Sequence, residues 1–207
     1  RSRGLGDVYK RQIYSKAELT ALSETCHKYG LYLFLDGARL GYGLAAPDND
    51  LTLPEIAALC DVFYIGGTKV GALFGEAVVI KNPELAQDFR YLIKQNGGML
   101  AKGRLLGLQF DALFTDGLYQ EISAHAIAMA EKLREAFTAK GYNYLAPNRT
   151  NQIFVIVPDA HLAKISEQFE YSYDQRIDAT HSCVRFCTGW ATKEENVDAL
   201  IRCVEKL

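Results

Sequence analysis

Two short apolar runs constrain this chain more than any other feature. Leu31–Leu35 and Val62–Ile65 show no polar alternation, which is the pattern of strands covered on both faces. Each run follows a helix signature. Ser15 and Glu18 are spaced as a capping box, Leu19, Leu22, Cys26 and Tyr29 recur at helical spacing, and Gly30 closes the segment. Thr52 and Glu55 repeat the box, with Pro54 in the first turn and Ile56 and Leu59 on the inward face. A third run, Ala77–Ile80, follows too closely for a crossover helix, so it is predicted to pair antiparallel or after a tight local return. Helix–strand–helix–strand order predicts an α/β protein with a mainly parallel sheet.

After Asn82-Pro83 the character changes. Helices are predicted over 84–95, 100–114 and 118–140, the last amphipathic and closed by Gly141. Strands are predicted over 153–157 and 184–187, and helices over 160–169 and 193–206. The expected organisation is a large-domain portion with linking helices over 13–116 and a smaller α+β domain over 117–207. The first twelve residues carry Arg1, Arg3, Lys10 and Arg11 against Asp7 alone and start without Met. They read as non-native joined sequence or as a flexible basic arm, and are set aside from the fold.

Composition excludes several classes. With 49% hydrophobic and 23% charged residues the chain is neither collagen-like, coiled-coil nor disordered. No apolar run approaches the roughly 18–20 residues of a membrane span, and the N-terminus lacks the apolar core of a signal peptide. The net charge of −2 offers no electrostatic attraction for nucleic acid. Five scattered cysteines (Cys26, Cys60, Cys183, Cys187 and Cys203) form no C-x-x-C pair, which points to free thiols in a reducing, cytoplasmic setting. Neither they nor the four histidines (His27, His125, His161 and His181) have metal-ligand spacing, so no metal is expected.

The chemistry concentrates at two strand ends. Asp36 and Lys69 each follow a predicted buried strand and lie 33 residues apart, the length of one strand–helix–strand unit. A right-handed crossover brings both ends to one edge of the sheet, where ligands of open α/β sheets bind. A lysine amine can join an aldehyde cofactor, and a carboxylate can keep a pyridine nitrogen protonated. Pyridoxal phosphate needs both groups, while an ion pair or two solvated charges would use the same residues. Gly66, Gly67 and Gly71 strip side chains from the backbone around Lys69, where a flat ring would need room. A P-loop is excluded, because Thr68 precedes Lys69 and a strand rather than a helix follows.

These residues carry a resemblance. L-F-L-D-G-A-R-L-G-Y-G-L from Leu33, followed by Y-I-G-G-T-K-V-G-A-L-F-G-E-A-V-V-I from Tyr64, is similar to the fold-type-I pyridoxal-phosphate enzymes, specifically the threonine aldolase and β-eliminating lyase group. The likeness runs from about Ile13 to the C-terminus, with D-G-A-R (Asp36–Arg39) as its most specific part. It implies that the chain is the C-terminal part of a fold-type-I large domain plus the small domain. It also implies that Asp36 contacts the pyridine nitrogen, Lys69 forms the Schiff base and Arg39 lies beside the ring; Thr68 could hydrogen-bond the cofactor or simply terminate the strand. Arg39 and Arg185, the latter in V-R-F-C-T-G-W, would hold the substrate carboxylate.

The implied activity is cleavage of threonine-like β-hydroxy-α-amino acids to glycine and an aldehyde. Related β-elimination or aminotransfer, and a noncatalytic fragment, are the alternatives. A homodimer or homotetramer is implied, with no membrane or nucleic-acid partner. Thr68 stands where the family usually has Ser. The family's phosphate-binding glycine-rich loop and ring-stacking histidine fall upstream of the matched region, so the chain as written is expected to be inactive. Gly97-Gly98-Met99 with Lys102 and Arg104 resembles a family glycine-rich segment that could receive a phosphate, or reads as a helix break with a solvated basic face.

Overall fold

The computed structural model describes residues 13–207; the basic segment 1–12 lies outside the described residues. Helix α1 (Lys16–Lys28) opens with the expected capping box, Glu18 N–H donating to the Ser15 hydroxyl while Ser15 N–H donates to the Glu18 carboxylate. Gly30 takes the left-handed conformation (φ +65°) that ends such a helix. Strand β1 is only Phe34–Leu35, shorter than the apolar run around it. A short helix with no sequence signature, α2 (Leu40–Ala45), follows, and α3 (Leu53–Leu59) starts on the second capping box. Strands β2 (Val62–Gly66) and β3 (Glu76–Ile80) complete a three-stranded sheet of order β1-β2-β3. β1 and β2 are parallel, with Leu35 opposite Phe63, and β3 returns antiparallel.

The predicted 84–95 helix is two pieces, α4 (Pro83–Ala86) and α5 (Phe89–Gln95). Asp88 in the left-handed region (φ 56°) breaks it, and no Gly or Pro at that point marks the break in the sequence. α6 (Arg104–Phe114) leads to the long α7 (Leu118–Ala139), which Gly141 (φ +80°) closes. A second sheet then forms from β4 (Asn143–Tyr144), β5 (Gln152–Pro158), β6 (Ser172–Arg176) and β7 (His181–Cys187), in the order β4-β5-β7-β6 and antiparallel throughout. α8 (Asp159–Ile165) is shorter than predicted, and α9 (Glu194–Glu205) ends the chain.

Two cores result. One joins Leu19, Leu35, Ile56, Phe63 and Val70 to Tyr119, Ala126 and Ile127 of α7; the other joins Met129, Leu133 and Phe137 of the same helix to Ile153, Val184 and Leu200. α7 is therefore the shared beam, and the core changes hands between Ile127 and Met129. Among the described residues no helix is long and apolar enough to cross a membrane.

Candidate active site

Asp36 leaves the C-terminal end of β1, and its carboxylate is held where it stands. The Tyr64 hydroxyl from β2 and the Ala38 N–H (3.1 Å) both donate to its Oδ1. The D-G-A-R turn lies tightly against the end of β2, where Gly66 N–H donates to the Gly37 carbonyl at 2.9 Å. A Cβ on Gly37 would stand 1.8 Å from the Tyr64 carbonyl oxygen, and one on Gly66 would stand 2.3 Å from that of Ala38. Gly67 is closed in the same way by the Gly75 carbonyl and the Phe110 ring, each 2.6 Å from an added Cβ. The sequence suggested that Gly66 and Gly67 make room for a ligand. Their Cβ positions instead coincide with the protein's own backbone and core, so main-chain packing requires them.

Lys69 follows β2 in a tight turn in which Val70 and Ala72 N–H both donate to the Gly67 carbonyl. Val70 is fully buried while the Lys69 side chain is exposed, so the turn pins its neighbour and releases the amine. Among the described residues Lys69 makes no ion pair. With Arg39, Tyr42, Asn151 and Trp190 it lines an open cavity of about 520 Å³. Arg39 and Lys69 thus line one cavity. Asp36 is anchored just past the end of β1 and is not among the lining residues. Thr68 lies outside the lining too, its hydroxyl reaching only the Gly75 carbonyl at 3.4 Å.

Arg185 projects from β7 into an adjoining cavity of about 390 Å³, which shares Cys187, Thr188 and Thr192 with the first. Its guanidinium meets only neutral partners, Gln152 Oε1 and Ser172 Oγ, both at 3.3 Å, and its buried Nε has none. Gln152 Nε2 and Asn151 Oδ1 are likewise buried without partners, in residues 1% and 4% exposed. A half-buried cation whose Nε is buried and unmet, paired with no carboxylate among the described residues and held by a glutamine whose own Nε2 is unmet, suits an anionic ligand.

Three site features escaped the sequence reading. Gln152 and Asn151 precede the apolar run that marked β5, and nothing in their spacing distinguishes them. Tyr42 sits inside the D-G-A-R-L-G-Y segment, yet a fully buried tyrosine reads as core. Its hydroxyl, pushed up in pKa by burial, donates to the Lys69 carbonyl at 2.5 Å and accepts from Trp190 N–H at 3.2 Å. Elsewhere the structure disperses the candidates. His181 meets Asp178 at the β6–β7 turn (3.1 Å), and His27 pairs with Asp61 (3.0 Å). Gly97, Gly98 and Lys102 lie exposed between α5 and α6, and Arg104 opens α6; none of them lines either cavity.

Comparison with known proteins fits this arrangement. The chain is 32% identical over 192 residues to the low specificity L-threonine aldolase of a Pseudomonas strain, an alignment covering 91% of this chain and 54% of that protein. It therefore spans about half the length of the curated relatives it matches. The threonine aldolase of Leishmania major superposes with a TM-score of 0.91 at 42% identity, covering 94% of this chain and 57% of that one. Serine palmitoyltransferase of Sphingomonas wittichii, 16% identical with a TM-score of 0.64 over 91% of this chain and 50% of its own, shares the fold alone, that of the fold-type-I enzymes. The family model described as β-eliminating lyase matches residues 11–160, a stretch that holds the D-G-A-R turn, Lys69 and the start of the second sheet. The chain belongs to the β-eliminating lyase family.

Proposed function

We propose that the whole protein carrying this chain is a pyridoxal-phosphate-dependent carbon–carbon lyase that cleaves threonine-like β-hydroxy-α-amino acids to glycine and an aldehyde. The strongest support is the likeness to the Leishmania major threonine aldolase, 42% identical with a TM-score of 0.91. The donor set fits the cofactor. An amine without an ion pair among the described residues opens on a cavity beside Arg39, an anchored carboxylate ends the neighbouring parallel strand, and three buried polar atoms lack partners. When bound, pyridoxal phosphate would take up the electron pair released as the Cα–Cβ bond breaks.

The chain's own residues divide the remaining work. Lys69 would hold the cofactor through its ε-amine and yield that position to the substrate amine. Asp36, fixed by Tyr64 and the Ala38 N–H, would keep a proton on the ring nitrogen. Thr68 would supply a hydroxyl beside the ring. Arg185 and Arg39 would hold the substrate carboxylate; anchoring it selects which bond at Cα is broken. The substrate is then a free amino acid, with a cytoplasmic homodimer or homotetramer as the working form. That none of the five cysteines is in a disulfide agrees with that compartment.

Whole protein supplied with pyridoxal phosphate and L-threonine is expected to release glycine and acetaldehyde in equal amounts, without any keto acid. Release of ammonia and 2-oxobutanoate, or dependence on an added keto acid, would refute aldol cleavage in favour of elimination or aminotransfer.

A further inference from the structure

The Tyr42 hydroxyl joins the Lys69 turn to the loop that carries Trp190, and none of the roles assigned above uses it. It belongs to α2, directly after the D-G-A-R turn, and is 1% exposed. Its hydroxyl uses both of its capacities. The proton goes to the Lys69 carbonyl, and a lone pair receives Trp190 N–H from across the cavity. Trp190 follows β7, in the turn closed by Thr192 N–H donating to the Gly189 carbonyl at 3.0 Å. That turn is tied in its own right to the second sheet and to α7: Thr188 N–H donates to the Asn151 carbonyl, and the Thr188 hydroxyl to the Ala126 carbonyl at 2.6 Å. Lys69 therefore hangs from a fixed point. Its amine is open to the cavity, while its main chain is tied through one buried oxygen to the loop bearing the opposite wall.

We propose that Tyr42 is a positioning residue that sets the place of the Lys69 amine relative to the Thr188–Thr192 loop, so that the two walls of the cavity keep one geometry. The inference rests on the reading of Lys69 as the cofactor-holding lysine. A buried hydroxyl serving only the core would need one partner from its own surroundings. This one instead spans two segments separated by more than a hundred residues, at the residue that carries the amine.

The test is Tyr42→Phe in the whole protein loaded with pyridoxal phosphate, since Phe keeps the packing and deletes only the oxygen. Hydrogen exchange at the Trp190 amide is expected to quicken by roughly fivefold or more, the loss of about one net hydrogen bond. The pH midpoint of the cofactor's visible absorption band is expected to move by about half a unit or more. Catalytic turnover should fall while KM for threonine stays within about twofold. A purely structural role would lower the melting temperature and leave the midpoint in place, and an unmoved midpoint overturns the proposal.

Should Tyr42→Phe fail to fold, Trp190→Pro and Trp190→Ala replace it. Both lose the indole, only the first loses the N–H, and Pro suits the second position of a turn. A midpoint that differs between those two supports the tether, and equal midpoints overturn it. Lys69→Ala separates the two layers of the argument. If the band survives that change, the assignment of Lys69 itself fails. If the band is lost but Tyr42→Phe changes nothing, only the positioning role fails.

Discussion

Tyr119→Phe removes one oxygen from the centre of the molecule, and the structure sets what that costs. The ring is fully buried on α7 and packs 5.4 Å, centroid to centroid, from Phe114, so Phe refills nearly all of the space. The hydroxyl donates to the Gly66 carbonyl at 2.9 Å and accepts from Gly41 N–H at 3.0 Å. Gly41 lies in the first turn of α2, where an amide has no partner within the helix, so deleting the oxygen strands a buried donor. Leaving such a group unmet costs about 1–3 kcal/mol, and the lost bond to Gly66 adds about 1 kcal/mol. The sum of about 2–4 kcal/mol corresponds to a fall in melting temperature of about 4–16 °C for a chain of this size. Thermal unfolding followed by circular dichroism measures the change. Tyr29→Phe, at a position 68% exposed, serves as the control and should stay within about 0.5 kcal/mol. A drop below about 2 °C for Tyr119→Phe would refute the view that this hydroxyl holds α2 against the end of β2.

Other consequences can be checked separately. Gly37→Ala drives a Cβ onto the Tyr64 carbonyl, so it should cost about 3 kcal/mol or more and strip soluble yield, as read by denaturant unfolding. Arg185→Gln should raise KM for threonine by about tenfold or more with a smaller effect on turnover, measured by steady-state kinetics. Glu55, bound by Lys16 and by the Thr52 hydroxyl and amide, titrates at about 2. Its folded-state pKa is depressed, so whatever it contributes is present above the ordinary carboxylate range and is lost as pH falls from about 4.5 toward 2, which carboxyl chemical shifts will follow. Burial lifts the Cys60 thiol to about 11, so at pH 8 a thiol reagent should label exposed Cys187 well before Cys60, and equal labelling would contradict that burial.

What the sequence revealed, and what it concealed, follows from which forces act locally. Both capping boxes were legible because a hydroxyl and a carboxylate three residues apart settle a helix start unaided. The antiparallel return of β3 was legible because the nine residues between β2 and β3 leave no room for a crossover. β6 was invisible: Ser172–Arg176 is exposed on every residue and polar apart from Tyr173, and it is a strand because β7 offers it a hydrogen-bonding edge. The break at Asp88 was hidden for a related reason, since no Gly or Pro announces the left-handed residue there. At the site, Asp36 and Lys69 stand out as charges just past strand ends, whereas Arg39 and Arg185 were marked by the family resemblance. Gln152, Asn151 and Tyr42 matter through what they touch, and contacts between residues 42, 69 and 190 have no signature along the chain. The glycines flanking Lys69 were noticed for the wrong reason, because close approach of backbone to backbone looks the same in one dimension as space for a ligand.

Borohydride reduction of the cofactor-loaded whole protein, followed by peptide mass mapping, bears most directly on the central assignment. A phosphopyridoxyl group fixed on the peptide containing Lys69, and absent from Lys69→Ala, is the predicted result. The same group on a different lysine, or none on any, would contradict it.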